Sequence, residues 1–262
     1  MTLFTIKNLF ALIFGLVLGS FLNVCIHRIP LKKSIVHPPS SCPQCGHKIR
    51  FYDNIPVMSY LFLLGKCRYC KAPISPRYPT VEIITGFLSI ALFLKYGLDY
   101  QYFIFLAFSA SLVIISFIDL QHKIIPDLIS LPGIIIGLGI SIIFDHISWL
   151  ESMIGILGGG GSLFLVAVVF EKITGREGMG GGDVKLLAMI GAWMGYMALP
   201  YIILISSLTG IIIGGGSLLL TKKDLGHRIP FGPFLVLGTL MTLFFETELK
   251  TIWFSYLNLM NP

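Results

Sequence analysis

The chain has 262 residues, of which 55 % are hydrophobic and 12 % charged, with a mean hydropathy of +0.85 and a formal net charge of +6. Soluble domains carry roughly 25 % charged residues. The composition therefore excludes a soluble globular protein and points to an integral membrane protein.

The first uncharged run, Asn8 to Ile26, predicts a retained membrane helix. Its apolar region is longer than that of a secretory signal and no small-residue cleavage site follows it. Asn23-Val24 before Cys25 does not fit a lipoprotein signal either, and Cys25 reads as a packing residue. Residues 27–79 form the one sizeable polar segment, with nine Lys and Arg against a single acid, Asp53. By the positive-inside rule this loop is cytoplasmic and the N-terminus lies outside. Its basic excess does not call for nucleic acid, because cytoplasmic loops are basic for topological reasons and lie beside anionic lipid headgroups.

Within the loop, Cys42-Pro43-Gln44-Cys45 and Cys67-Arg68-Tyr69-Cys70 form two C-x2-C pairs separated by 21 residues. Two such knuckles place four thiolates around a tetrahedral ion, and zinc is the usual occupant. Disulfides are the competing reading, disfavoured in a reducing cytoplasm. Four thiolates leave no open coordination position, so the site is structural, and metal binding would supply much of the folding free energy of so small a segment.

Further spans follow at Thr80–Leu98, Tyr100–Ile118, Leu128–Phe144, Met153–Phe170 and Ile229–Phe245. Glu82 and Lys95 stand near the ends of the first of these, where they are expected to reach the headgroups. Leu186–Thr221 is too long for one crossing of a ~30 Å core and is expected to break at Pro200-Tyr201. The fold class is then an all-α polytopic membrane protein of about eight transmembrane helices, with a small zinc-bound cytoplasmic loop domain after helix 1. Its divisions are 1–26, the first helix; 27–79, the loop; and 80–262, the remaining transmembrane domain. With this topology every Lys and Arg except Lys7, Lys95 and Lys250 lies on or near the cytoplasmic side, which supports the break at Pro200.

Asp119 closes the run from Tyr100, and Asp183 ends the glycine-rich stretch Glu177-Gly178-Met179-Gly180-Gly181-Gly182. A carboxylate at membrane depth is costly and marks a functional site by default. The topology puts both on the cytoplasmic side, where they are free to meet as an acid/base dyad. Asp119 gains nothing locally, because a helix C-terminus disfavours negative charge. Asp183 also fits an N-cap, although the glycines before it permit close approach of backbone or substrate. Asp127, after Pro126, is explained by helix capping. His122 reads as a solvated loop histidine, and Lys185 either perturbs a neighbouring carboxylate or anchors the topology. Gly158–Gly161 and Gly214–Gly216 follow no strand and read as close helix packing rather than phosphate loops.

Taken together, these residues resemble the prepilin peptidase family, the leader peptidases of type IV pilins and type II secretion pseudopilins. The resemblance covers nearly the whole chain. It is carried by Gly19-Ser20-Phe21-Leu22-Asn23-Val24 with Arg28 and Pro30, both cysteine pairs, Asn54-Ile55-Pro56, and Arg77-Tyr78-Pro79 with Val81-Glu82. It continues in Ile118-Asp119 with Ile125-Pro126-Asp127, Gly178-Met179-Gly180 with Gly182-Asp183-Val184-Lys185, and Pro230-Phe231-Gly232-Pro233.

The resemblance implies that Asp119 and Asp183 are the catalytic pair of an aspartic peptidase. Such enzymes cut after the glycine that ends a short basic leader, at the cytoplasmic face of the bacterial inner membrane. It also implies that 80–262 is the peptidase domain and that the loop assists N-methylation of the new N-terminus with S-adenosylmethionine. No dinucleotide-type glycine motif marks the methyl-donor site. Gly65, Lys66, Arg77 and Glu82 are its candidates, and a turn glycine and topology charges explain them equally well. Two readings from other classes stand beside this one: a proton-coupled transporter using the two acids, and a membrane scaffold recruiting partners through a zinc ribbon.

Overall fold

Long apolar runs satisfy their backbone hydrogen bonds internally, which in a bilayer leaves the helix as the default. The computed structural model describes residues 2–144, 146–175, 180–216 and 230–260. Lys222, Lys223 and Arg228, which bear on the break within 186–221, and Glu177-Gly178-Met179 lie outside the described residues.

Among the described residues the α-helices are α1 (Thr2–Arg28), α2 (Met58–Phe62), α3 (Arg77–Tyr96), α4 (Tyr100–His122), α5 (Asp127–Ile143), α6 (Trp149–Thr174), α7 (Gly181–Met194), α8 (Leu199–Thr209) and α9 (Gly232–Met260). A π-helical turn, Gly210–Gly215, follows α8. Among the described residues no strand forms, and the extended chain makes only two isolated bridges, Ser41 with Lys48 and Lys66 with Pro73. Six described segments are long and apolar enough to cross a membrane. Helix α5, with 17 residues, and α7, with 14, are shorter. At about 1.5 Å per residue α7 rises only ~21 Å, so the described residues supply six helices of spanning length rather than the eight expected.

The break in the long apolar run occurs at Gly195 rather than Pro200. Gly195 adopts φ 73°, which ends α7 with its N–H on Gly191 O. Pro200 instead sits in the first turn of α8, where a helix needs no N–H.

Two compact units divide the chain at residues 118 and 119. In the first, α1 packs on α3 through small residues: a Cβ on Gly19 would lie 2.7 Å from Glu82 Cα, and one on Gly15 would lie 2.5 Å from Ser89 Cβ. Ser89 Oγ donates to Ala11 O at 2.6 Å, and Asn23 Nδ2 donates to Tyr78 O at 3.0 Å. Glu82 does not reach the headgroups as expected. It is 7 % exposed and its carboxylate accepts the backbone N–H of Val57 at 2.7 Å. Cys25 is buried on α1, as a packing residue should be.

In the second unit α7 is buried nearly all round, with Leu186, Leu187, Met189 and Ile190 inaccessible. A short helix that is apolar on every face belongs at the centre of a bundle. Gly155 of α6 meets the backbone of Gly191, and Trp193 Nε1 donates to Gly133 O of α5 at 2.8 Å. Close packing holds for Gly159, whose Cβ would press on Leu187 O at 2.5 Å, and for Gly160 beside Ala188. Gly161 and Gly216 face open space instead.

Candidate functional site

Asp119 lies in the last turn of α4, which ends where Lys123 turns to φ 56°. Asp183 is the third residue of α7, whose N-cap is Gly180. Both are buried, at 5 % and 9 % exposure, and both fall in the second unit. Gly182, next to Asp183, and Gly232, against Asp119, both close on Ile125, so chain segments 64 positions apart converge on one site.

Asp119 has a backbone donor. Gly232 N–H, at the start of α9, donates to Asp119 Oδ2 at 3.1 Å. A helix N-terminus carries partial positive charge, and this one offsets the poor position of Asp119 at the end of its own helix. Asp183 is not an N-cap: Gly180 is, and Asp183 is an acid in the first turn of α7, with a Cβ on Gly180 3.8 Å from its Oδ2.

Ile125 ties the two ends together. A Cβ on Gly182 would lie 2.9 Å from Ile125 Cβ, and one on Gly232 would lie 3.4 Å from Ile125 Cδ1 and 2.5 Å from Asp119 Oδ2. The starts of α7 and α9 thus close on one side chain beside Asp119, and at both positions only a glycine leaves room.

Asp127 does not cap α5. Pro126 is the N-cap, no side-chain cap bond forms, and Asp127 is the first helical residue. Its carboxylate pairs with Lys185 Nζ at 2.7 Å, with side chains 56 % and 41 % exposed. Lys185 is accordingly engaged by Asp127, and His122 is exposed as a solvated residue. Exposed pairs contribute about 0–1 kcal/mol. Asp127→Ala should therefore cost no more than about 1 kcal/mol of stability, measured by thermal unfolding of the purified protein; a larger loss would make the Asp127–Lys185 pair a structural tie.

The four cysteines also converge. The Sγ atoms of Cys42, Cys45, Cys67 and Cys70 lie within 4.8 Å of one another, and Cys42 Sγ is 3.8 Å from Cys70 Sγ. Thiolates at ~2.3 Å from a tetrahedral zinc ion stand about 3.8 Å apart, so the cluster fits the metal. Each knuckle repeats one backbone plan. Cys42 N–H donates to His47 O and Gly46 N–H to Cys42 O, just as Cys67 N–H donates to Ala72 O and Lys71 N–H to Cys67 O. Gly46 and Lys71 hold the same left-handed position, at φ 69° and 58°.

Backbone hydrogen bonds from Cys45 and Gln44 pull the Cys42 thiol down to about 7. Zinc affinity should fall as the pH drops from about 8 to about 6, because protons compete with the metal for the four thiolates, which titrate as a unit. Competition with a chromogenic chelator between pH 6 and 8 measures this, with one zinc per chain expected; a pH-independent affinity contradicts a thiolate site.

Three of the candidate methyl-donor residues have local partners. Glu82 is committed to Val57 and to Ser20, Gly65 lies against the Tyr60 ring, and Arg77 stacks over Tyr78 at 5.0 Å. The residue that sequence reasoning left without a role is Gly232. Its signal was the Phe231-Gly232-Pro233 turn next to an apolar run, which says nothing about Asp119 until α9 is folded.

Fold and sites together define an all-helical multi-pass membrane protein with a buried carboxylate pair and a four-thiol cluster suited to zinc. Residues 13–96 match the bacterial peptidase A24 N-terminal domain, and residues 106–215 match the type IV leader peptidase family. The chain is similar to the prepilin leader peptidase/N-methyltransferase of Stutzerimonas stutzeri, at 37 % identity over 95 % of this chain and 94 % of the relative. It is 37 % identical to that of Aeromonas hydrophila over 92 % of this chain and 91 % of the relative. Against that of Pseudomonas aeruginosa the identity is 38 % over 94 % and 92 %. No solved structure matches it. The chain belongs to the type IV leader peptidase family and is an enzyme.

Proposed function

We propose that this enzyme is a membrane aspartic endopeptidase in which Asp119 and Asp183 act as one acid/base pair. It removes the leader of type IV prepilins or type II pseudopilins after a glycine, at the cytoplasmic face of the bacterial inner membrane. The observation that carries this reading is the convergence of two buried carboxylates from α4 and α7 around Ile125, with the Gly232 N–H on Asp119.

Two like charges so placed share a proton rather than both ionise. The ionised member draws a proton from water as it attacks the scissile carbonyl, while the protonated member donates to the carbonyl oxygen. Because the pair titrates as a unit, neither residue owns the acid role.

N-methylation of the new N-terminus with S-adenosylmethionine is the second activity we assign, on the names of the relatives. The cysteine loop, residues 27–79, is then a zinc-stapled auxiliary domain beside the peptidase domain, 80–262. Mass spectrometry of a co-expressed prepilin tests both activities. A product beginning after the glycine and carrying one methyl group is expected. An intact precursor contradicts the peptidase, and a cleaved but unmethylated product contradicts the methyltransferase alone.

A further inference from the structure

The cysteine loop carries an apolar surface that neither the metal cluster nor the carboxylate pair uses. Helix α2 turns Ser59 inward, where it is buried and donates to Tyr52 O at 3.1 Å. Met58, Leu61 and Phe62 share the opposite stripe at i, i+3 and i+4, and all three are exposed, Phe62 at 79 %. Phe51 and Leu64 flank them at 86 % and 83 % exposure. Such side chains in water would be a liability, and their clustering marks an interaction surface.

Their depth is set by a membrane helix. Val57, which opens α2, has φ 61° and ψ −49°, and Met58 N–H donates to Pro56 O at 2.6 Å. That is the strained form of the γ-turn, rare for a β-branched residue. Val57 N–H is held at 2.7 Å by the buried carboxylate of Glu82, on the span Arg77–Tyr96. Glu82 stands five residues into α3, about 7.5 Å along the axis. The start of α2 therefore hangs at the level of the first turns of α3 and not above them. An acid within a span needs such a partner to persist.

We infer that residues 51–64 are an interfacial element, with the Met58, Leu61 and Phe62 face dipping into the acyl boundary of the bilayer and Glu82 as its tether. The occupant is lipid, for two reasons. Exposed Lys48, Arg50 and Lys66 flank the apolar face, a pattern that complements anionic headgroups. The same unit also presents Phe21 of α1 and Phe87 of α3 outward, at 48 % and 65 % exposure, as lipid-facing helices do. A substrate helix is the competing occupant.

The test places the photoreactive analogue p-benzoylphenylalanine at position 62 of the full-length enzyme, reconstituted in vesicles of phosphatidylglycerol and phosphatidylethanolamine with and without a prepilin. The same analogue at position 87 serves as the lipid-facing reference. Lipid adducts at position 62, within about threefold of the reference and insensitive to prepilin, are expected. Glu82→Leu, which has no acceptor for the Val57 N–H, should lower the adduct yield at position 62 about fivefold or more while leaving position 87 unchanged, because only the tether is lost. Adducts to prepilin in place of lipid, or no lipid adducts at position 62, would overturn the inference. Neither readout depends on cleavage.

Discussion

Asp119→Asn and Asp183→Asn should each reduce prepilin cleavage by roughly 10²–10⁴-fold, the range in which a positioned acid or base acts. The amide is close to isosteric and preserves the packing around both sites, so each variant should still insert in the membrane at parental level. Residues that act as a unit are not additive; the double variant should be about as inactive as either single one. Quantitative cleavage time courses in detergent decide this. Full activity in either single variant would remove the dyad and leave the family relationship without its chemistry. Methylation of a precleaved pilin by both variants would show in addition that the loss is confined to the peptidase.

Gly232→Ala should abolish most cleavage, by about 10²-fold, without unfolding the protein. Its Cβ would lie 2.5 Å from Asp119 Oδ2 and 3.3 Å from Asp119 Cγ. The carboxylate is the free end of a side chain and swings aside at small cost to the fold. Doing so takes it off the α9 N–H and out of register with Asp183, and a misplacement of about 1 Å in a reacting group is worth that much rate. Gly161→Ala is the matched control, since nothing lies within 4 Å of its Cβ. Activity of the Gly232→Ala enzyme within about twofold of the control would mean that Asp119 works from another position than the one α9 imposes.

Much of the architecture was legible because the bilayer enforces a simple code: long uncharged runs become helices. The first helix, the cysteine loop and the run ending in Asp119 all appear where the residue pattern puts them. Errors cluster at helix starts. Asp127 looked like a cap because it follows proline and precedes an apolar run, yet Pro126 caps and Asp127 is free to meet Lys185 from 58 residues away. Pro200 looked like the break because proline disrupts helices, but Gly195 is where the backbone turns to positive φ. Glu82 looked like a headgroup residue because only its distance from the helix end was visible; its true partner is the N–H of Val57.

By itself the sequence determined the membrane class, the two cysteine pairs and the two acids, since all of these depend on composition or on spacing within a few residues. C-x2-C is a local geometry, and a carboxylate bordering a twenty-residue apolar run is costly whatever it meets. Only the tertiary structure decided what each acid meets. Asp119 needs the first N–H of α9, Asp183 needs Gly182 against Ile125 beside Asp119, and Glu82 needs a turn in the loop. These partners lie 113, 64 and 25 residues apart in the pairs Asp119–Gly232, Asp119–Asp183 and Glu82–Val57. A buried charge takes whichever donor the packed helices deliver, and helix packing depends on small residues such as Gly19, Gly155 and Gly191 whose partners no local pattern records.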